Sequence, residues 1–267
     1  MKIGLQITAR MKSSRLPFKL LMDLNGYSII EHVINRSKLI KGVESVVLCT
    51  SVNAQDKPLV DVAREKDIYY YLGSEVDVLQ RLLDSANFFG FDYILSITGE
   101  NPLFSIDHTN RLVDIIKREK PDFAFFEGLP IGCGVYGIKV KALELVCKIK
   151  KEIDTEIWGP LINRPEIFKV TTEKVNDFYY HPNLRLTNDY FEDYMLMSKI
   201  FSHFPYQSTP SLYPALELLK NHPDYLKINA EKIQAGVSSE VLDKIDQIYK
   251  KNLTDILKLK QEIYHDI

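Results

Sequence analysis

The sequence is poor in cysteine, with three among 267 residues. These cysteines lie in or beside apolar segments and show no C-x-x-C spacing, which excludes a disulfide framework or a cysteine zinc site as the basis of the fold. We therefore expect reduced thiols in the core of a cytoplasmic protein. The three positions are Cys49, Cys133 and Cys147.

An excess of charge of either sign is also missing, since 34 lysines and arginines stand against 36 aspartates and glutamates. This balance argues against bulk electrostatic binding of nucleic acid or of an anionic membrane surface. No stretch approaches the roughly 20 apolar residues of a membrane span, and the apolar run at the start is too short for a signal peptide. We predict a protein that binds neither nucleic acid nor a membrane.

Several familiar catalytic patterns are absent as well. The six histidines form no H-x-x-x-H pair and have no serine or cysteine partner, and no G-x-x-x-x-G-K-[ST] phosphate loop occurs. Residues 132–137 spell G-x-G-x-x-G, but they lead into a β-prone run rather than a helix, so the pattern does not indicate a dinucleotide site. Glycines at this place instead favour close approach of the backbone to a flat ligand.

What the chain does have is a regular alternation of strand-like and helix-like segments in its first half. Strand-like runs cover 2–9, 44–50, 67–72, 92–98 and 122–126, and apolar residues at three- and four-residue spacing lie between them. This order predicts an α/β fold, a mostly parallel sheet with helices on both faces. Ser28 with Glu31 predicts a capping box at the start of the first helix.

The second half is less regular. We predict strands over 133–139, 167–171 and 183–186, a helix over 140–150, and further helices from about 190, over 213–221 and over 238–263. The pattern predicts a main domain over 1–204 and a helical C-terminal extension over 205–267. The extension packs either on the sheet domain or on a second subunit, which leaves a homodimer open.

A cation-rich loop follows the first strand, at the edge where open α/β sheets bind ligands. The loop also contains Pro17, which restricts its backbone. Its cations are Arg10, Lys12, Arg15 and Lys19, and its hydroxyls are Ser13 and Ser14. Because arginine binds phosphate oxygens through two parallel hydrogen bonds and lysine adds a compact charge, the loop predicts a polyphosphate site. The alternative is a solvated basic turn.

Two carboxylates are predicted to face the same crevice. Glu100 follows the fourth strand in a turn fixed by Pro102, and Asp189 comes after the segment 184–188, just before a helix. A Mg²⁺ ion that bridges phosphates takes one or two protein carboxylates and keeps several waters. The alternatives are a turn-stabilising role for Glu100 and a helix cap for Asp189.

Two further features each allow two interpretations. Asp77 and Arg81 lie four residues apart on a predicted helix, where they either pair with each other or lie near a nucleoside. Trp158 is the single tryptophan of the chain, and it either packs in the core or forms an apolar wall beside a ligand.

Together these segments resemble the cytidylyltransferase superfamily of nucleotide-activated sugar synthases, in particular its spore-coat polysaccharide branch beside the acylneuraminate and 3-deoxy-manno-octulosonate cytidylyltransferases. Residues 9–19 are similar to the family's AR-x-x-S-x-RLP-x-K triphosphate loop. Segments 46–51, 73–81 and 98–102 resemble its second strand, its ribose-flanking helix and its metal turn, and 185–193 resembles its second metal carboxylate. The similarity runs from residue 1 to about 205, and 222–236 resembles the C-terminal segment of the branch.

The resemblance implies a Rossmann-like three-layer nucleotidyltransferase fold. It also implies Mg²⁺-dependent transfer of a CMP group from CTP to a sugar or sugar acid, with release of pyrophosphate, for surface glycan biosynthesis. Arg10 and Lys19 would be catalytic, and Glu100 and Asp189 would bind the metal. The nucleotide would be bound by Ala9, Arg10, Ser13, Ser14, Arg15, Lys19, Thr50, Ser74, Arg81 and Thr98. The acceptor would be bound by Asn101, Gly132, Tyr136, Glu156 and Trp158.

Two positions depart from the family's pattern. Glu100 stands where the family usually has Asp after Gly, and Phe18 stands where it usually has Gly. The extra methylene of Glu moves its oxygens by about 1 Å, and a misplacement of that size can cost ~10²-fold in rate. Two rival functions therefore stay open: a nucleotide-binding module without turnover, and a metal-dependent glycosyltransferase of related fold, although the Asp-x-Asp motif usual in the latter is absent.

Overall fold

A central seven-stranded sheet organises the protein, whose computed structural model describes residues 1–151, 155, 157–234 and 236–265. Its strands are β1 (Ile3–Thr8), β4 (Ser45–Ser51), β5 (Tyr69–Gly73), β6 (Tyr93–Thr98), β7 (Phe123–Glu127), β8 (Tyr136–Lys139) and β9 (Val170–Lys174), while β2 (Asp23–Leu24) and β3 (Tyr27–Ser28) form a separate small hairpin. The strand order is β5-β4-β1-β6-β8-β7-β9. β8 runs antiparallel to both of its neighbours, and the other pairings in this sheet are parallel.

Helices cover both faces of the sheet. They are α1 (Ile29–Ser37), α2 (Lys57–Glu65), α3 (Val78–Phe89), α4 (Ile106–Glu119), α5 (Val140–Ile149), α6 (Gly159–Ile162), α7 (Phe191–Phe201), α8 (Leu212–Asn221), α9 (Ser239–Lys251) and α10 (Leu253–His265). One hydrophobic cluster joins the sheet to α1, α2, α4, α7 and α8, and a second joins it to α3, α5, α6, α9 and α10. Because neighbouring residues of a strand point to opposite faces, Leu48 belongs to the first cluster and Cys49 to the second. The predicted three-layer α/β fold is confirmed.

The regular first half follows the predicted pattern closely. Each predicted strand there overlaps an observed strand, and the capping box of Ser28 and Glu31 is present, with the backbone N–H of Ser28 donating to Glu31 Oε2 at 2.7 Å. The three predicted thiols are free, and Cys49 and Cys133 are buried. Burial raises the pKa of Cys49 to about 11, so its thiol stays protonated at neutral pH.

Several predictions in the second half are wrong in detail. Residues 183–186 form no strand but a single bridge between Ile131 and Arg185, because the segment turns away towards α7 after two backbone hydrogen bonds to Ile131. The strand predicted over 133–139 begins at Tyr136, and the one predicted over 167–171 lies at Val170–Lys174. The helix predicted over 238–263 is broken at Asn252, whose side chain donates to the carbonyl of Ile248 and competes with the helical backbone.

The C-terminal helices pack on the sheet domain. Ile245 and Ile256 belong to the second hydrophobic cluster, and Asp122 beside β7 accepts hydrogen bonds from Lys260 Nζ at 2.8 Å and Tyr264 OH at 2.9 Å. The C-terminal extension was predicted to pack either on the sheet domain or on a second subunit, and the structure shows contact with the sheet domain. The domain boundary at 204 and the homodimer stay predictions. In the described ranges, no helix combines the length and apolarity needed to cross a bilayer.

Candidate active site

The first half of the cation-rich loop is fixed by a buried acid at the carboxyl edge of the sheet. Asp56, at the end of the turn after β4, accepts the backbone N–H of Met11 at 2.7 Å and the hydroxyl of Ser51 at 2.5 Å. It is 1% exposed. Asp56 is not among the predicted site residues, although an acid just past a strand end and directly before α2 is a signal that could have identified it.

The second half of the loop converges on Asp189, as the sequence predicts. Lys19 Nζ lies 2.9 Å from Asp189 Oδ1, and Arg15 Nη2 lies 3.3 Å from the same oxygen. Arg185 Nη2 lies 3.4 Å from Asp189 Oδ2. The fold thus gathers three cations around one carboxylate from positions up to 174 residues away in the chain.

These contacts keep both partners of the central ion pair charged. Burial alone would lower the pKa of Lys19, but the negative charges of Glu100 and Asp189 outweigh it and raise that pKa above the usual lysine value. Burial alone would raise the pKa of Asp189, but Lys19, Arg15 and Arg185 hold it below the usual aspartate value. At neutral pH the site therefore presents fixed positive and negative charges side by side.

Asp189 is itself held by a fully buried carboxylate, Asp193. Asp193 accepts hydrogen bonds from Arg185 Nε at 3.2 Å and Nη2 at 2.9 Å, and from the backbone N–H groups of Asp189 at 3.1 Å and Tyr190 at 3.0 Å. Asn229 Nδ2 donates to it at 2.8 Å. Tyr190, not Asp189, occupies the N-cap position of α7, so the helix-cap alternative for Asp189 is wrong.

The turn that carries Glu100 is fixed through its backbone. The N–H of Gly99 donates to the carbonyl of Thr8 at 2.8 Å, and Asn101 Nδ2 donates to Thr98 Oγ1 at 2.7 Å. Asn188 Nδ2 donates to the carbonyl of Glu100 at 3.1 Å. Because Asn188 directly precedes Asp189, this bond joins the two segments that bear the predicted metal ligands, a link that the sequence analysis missed.

The two acids fit the needs of a magnesium ion that also binds phosphates. Glu100 is half-buried and Asp189 is buried, and both lie close enough to Lys19 to raise its pKa. No group of three or more His, Cys, Asp or Glu side chains that could hold a metal occurs in the described part of the chain. A site of two carboxylates completed by phosphate oxygens and water is the usual arrangement for Mg²⁺ in phosphoryl chemistry.

The turn over 73–77, which is predicted to lie beside the nucleoside, is braced by two arginines. Arg81 is 1% exposed and donates to the carbonyl of Ser74 at 2.5 Å, and Arg10 Nη1 donates to the carbonyl of Glu75 at 2.6 Å. Asp77 caps α3 by accepting the N–H of Gln80 at 3.0 Å instead of serving chiefly as a partner of Arg81. Arg81 thus supports the turn, and its direct contact with a nucleotide stays a prediction.

The remaining residues of the predicted nucleotide set line the same edge. Ala9 donates its N–H to the carbonyl of Cys49 at 3.2 Å, and Ser13 Oγ accepts the N–H of Leu16 at 3.3 Å. Ser14 is exposed. The buried hydroxyl of Thr50 has no hydrogen-bond partner among the described residues. These positions are compatible with a bound nucleotide, and their roles stay predictions.

In the region predicted to bind the acceptor, three chain segments approach one another at Gly132. This residue has φ +89°, and a Cβ atom there would lie 2.5 Å from the carbonyl oxygen of Leu186 and 2.8 Å from Asn101 Oδ1, so only glycine fits. Tyr136, at the start of β8, is 43% exposed, whereas Trp158 is 8% exposed and packs edge-on against it with ring centroids 5.3 Å apart. Trp158 therefore packs in the core beneath Tyr136. Glu156 lies outside the described residues.

The mostly parallel seven-stranded sheet with helices on both faces is an α/β nucleotidyltransferase fold. The model of the cytidylyltransferase family matches residues 6–262. The chain belongs to this family, and it is a cytidylyltransferase.

Three similar proteins differ in how much of the chain they match, and one of them is named as a cytidylyltransferase. An uncharacterised protein of Methanocaldococcus jannaschii is 28% identical over 232 residues, which cover 86% of this chain and 95% of that protein. The spore coat polysaccharide biosynthesis protein SpsF of Bacillus subtilis is 23% identical over 225 residues (82% and 94% of the two chains). An 8-amino-3,8-dideoxy-manno-octulosonate cytidylyltransferase of Shewanella frigidimarina is 28% identical over 134 residues, 46% of this chain and 51% of that one.

Solved structures show the same architecture. A cytidylyltransferase from Leptospira borgpetersenii superposes with a TM-score of 0.78 at 25% identity, covering 88% of this chain and all of that one. A CMP:2-keto-3-deoxy-manno-octonic acid synthetase solved with CTP superposes with a TM-score of 0.61 at 15% identity, covering 76% and 99% of the two chains. At 15% identity, the similarity to this synthetase shows a shared fold only.

Proposed function

We propose that the protein transfers a CMP group from CTP to an oxygen of a sugar or sugar acid, with Mg²⁺ and with release of pyrophosphate, in the biosynthesis of a surface glycan. The observation that carries the proposal is the convergence of Lys19 and Arg15 on Asp189, beside Glu100. The names of the relatives support the choice of acceptor, since one belongs to spore coat polysaccharide biosynthesis and another acts on an amino sugar acid.

The cations of the loop would bind the triphosphate and stabilise the leaving pyrophosphate. Arg15 offers a planar fork that matches phosphate oxygens, and Lys19 offers a point charge that its acidic neighbours keep protonated. The guanidinium of Arg10 donates to the turn over 73–77. Arg10 would therefore lie between the phosphates and the nucleoside of the bound nucleotide. Reactions of this kind need little covalent help, because positioning and charge stabilisation carry most of the rate.

Glu100 and Asp189 would hold the metal. When bound, Mg²⁺ would neutralise phosphate charge and orient the phosphate oxygens for in-line attack. Asn188 and Asp193 would hold the segments that carry these two carboxylates at a fixed distance. The side chain of Asn188 donates to the backbone carbonyl of Glu100, and Asp193 accepts the backbone N–H of Asp189. This preorganisation avoids a reorganisation cost at the moment of reaction.

The acceptor would lie against Asn101, Gly132 and Tyr136. The exposed ring of Tyr136 offers an apolar face for the C–H groups of a sugar, and the close approach of backbone at Gly132 leaves carbonyl and N–H groups near the rim. Trp158 would support the ring of Tyr136 from below. Glu156 is proposed as an acceptor ligand on the family resemblance alone.

A pyrophosphate-release assay with CTP, Mg²⁺ and a panel of sugar acids and sugar phosphates tests the proposal. We expect release with at least one acceptor, and a loss of about 10²-fold for Lys19→Ala, because a charge-stabilising donor is removed. The matched control is Lys148→Ala, which breaks an exposed pair with Glu144 on α5 and should stay within about threefold of wild type.

Two outcomes would argue against the proposal. A loss of less than tenfold for Lys19→Ala would remove the loop from the reaction. CTP binding in a calorimeter without pyrophosphate release from any acceptor would instead favour a nucleotide-binding module, with Glu100 as the altered position.

A further inference from the structure

Tyr190 is surrounded by positive charge at the mouth of the site. The guanidinium carbon of Arg15 lies 5.0 Å from the centroid of its ring, that of Arg185 lies 5.6 Å away, and Lys232 Nζ lies 5.3 Å away. A cation within about 6 Å of an aromatic centroid is attracted by the negative face of the ring. Two of these three cations, Arg15 and Arg185, also contact Asp189.

Arg15 is more exposed than Arg185, so its conformation depends more on the few contacts that it makes. Its side chain is 39% exposed, and a long side chain in solvent occupies many rotamers that binding would have to restrict. Tyr190 restricts it twice, since Arg15 Nη1 donates to the Tyr190 hydroxyl at 3.4 Å while the guanidinium also lies near the ring. Arg15 Nη2 meanwhile points to Asp189 Oδ1 at 3.3 Å. These contacts therefore orient the guanidinium group of Arg15 before a ligand binds.

The backbone of Tyr190 is held by a buried carboxylate, and its ring is contacted by a lysine that forms a partly exposed ion pair. Its backbone N–H donates to the fully buried carboxylate of Asp193 at 3.0 Å. Lys232, which contacts the ring, is bonded to Glu192 at 2.9 Å. A contact to Tyr190 is thus a contact to α7 and to the segment around 232 at once.

We propose that Tyr190 is a positioning residue that orders Arg15 for binding of a polyphosphate. This rests on the proposed function in one respect, namely that Arg15 binds the triphosphate of the nucleotide. Tyr190 acts through Arg15 and does not itself contact the reacting atoms. Its loss should therefore weaken polyphosphate binding only when Arg15 is present.

A double-mutant cycle in a calorimeter tests this, with inorganic tripolyphosphate and Mg²⁺ as the probe and the full-length protein throughout. We expect Tyr190→Leu to weaken tripolyphosphate binding about tenfold in the wild-type background and less than about twofold in the Arg15→Ala background. Tyr190→Phe keeps the ring and should stay within about threefold of wild type. A purely structural role would not produce this dependence on Arg15.

The control is Tyr27→Leu, which removes a ring that contacts Lys66 at 4.5 Å on the flank of α1 and should leave tripolyphosphate binding unchanged. An equal loss for Tyr190→Leu in both backgrounds would overturn the proposal, and so would a wild-type protein that does not bind tripolyphosphate. Because the probe has no base and no acceptor, an intact cycle without any CMP transfer would count against the proposed function and leave this inference standing.

Discussion

The candidate site has a proposed phosphate end and a proposed acceptor end, which differ in how they are built. At the phosphate end, the side chains of Lys19, Arg15 and Asp189 are bonded to one another and hold each other in place. At the acceptor end, the structure offers backbone at Gly132 and the exposed ring of Tyr136, supported from below by apolar packing. One end is defined by charge and the other by shape.

This difference indicates which part of the reaction each end controls. The triphosphate of the nucleotide has the same structure and charge for every acceptor, so a charged cluster fixed by ion pairs can bind it in any member of such a family. An acceptor is recognised by its outline, and a surface of backbone and one aromatic ring can change its fit without disturbing the ion pairs. We therefore expect changes at the phosphate end to abolish turnover and changes at the acceptor end to alter substrate choice.

The largest effect should come from Asp189→Ala. Removing this acid leaves Lys19, Arg15 and Arg185 without their shared partner, and breaking a buried ion pair in this way costs about 3 kcal/mol of stability. Pyrophosphate release should fall by roughly 10²- to 10³-fold. Urea unfolding and initial rates measure the two effects. Asp224→Ala, at an exposed acid, is the control, and a loss of less than tenfold in rate would remove Asp189 from the site.

The pH dependence of that stability loss sharpens the result. The pKa of Asp189 is lowered in the folded protein, so its contribution is fully present above the unfolded value of about 3.9. This stabilising contribution begins to decrease as the pH falls below the unfolded value, and it is lost once the pH has fallen through the lowered pKa of the folded protein. The difference in unfolding free energy between wild type and Asp189→Ala should thus be constant from about pH 5 to 7 and shrink below about pH 4.

A smaller and more selective effect is expected for Tyr136→Ala. Loss of the exposed ring should raise the KM for the acceptor about fivefold, since an aromatic contact contributes about 1 kcal/mol, and should leave the KM for CTP within about twofold. Steady-state kinetics with each substrate varied in turn measure both. Tyr69→Ala, which removes another exposed ring on the edge strand β5 (59% exposed, against 43% for Tyr136), should change neither. An equal rise in both KM values would contradict the division between the two ends.

The smallest effect concerns Phe18, at the phosphate end. This residue has φ +57° and is 68% exposed, so it bears the left-handed strain of about 1 kcal/mol without much burial in return. Phe18→Gly should stabilise the protein by about 0.5 kcal/mol, because relief of strain slightly exceeds the added chain entropy of glycine. Thermal unfolding measures this. Phe88→Gly, at an exposed helical phenylalanine, should destabilise it by about 1 kcal/mol, and the same sign for both would contradict the strain argument.

The sequence predicted the site where a general rule links distant residues. Parallel strands share one carboxyl edge, so the loop after β1, Glu100 and Asp189 were expected to meet there, and they do. It did not predict the contact of Asp56 with the backbone of Met11 or that of Asn188 with the backbone of Glu100, because these partners lie 45 and 88 residues apart in the chain. Arg81 illustrates the same limit, since its helical position gave no sign that its guanidinium would turn inward to the carbonyl of Ser74.

The reversed direction of β8 has a consequence for how acceptor choice could be altered. Since β7 ends and β8 begins at the same rim, the intervening link over 128–135 leaves the sheet and returns to it without crossing the molecule. Most of this link is packed in place, but a side chain added at Gly134 would meet no atom within 4 Å, so a substitution there could change the surface beside the proposed acceptor while both flanking strands keep their register. That link is the natural place to redesign specificity.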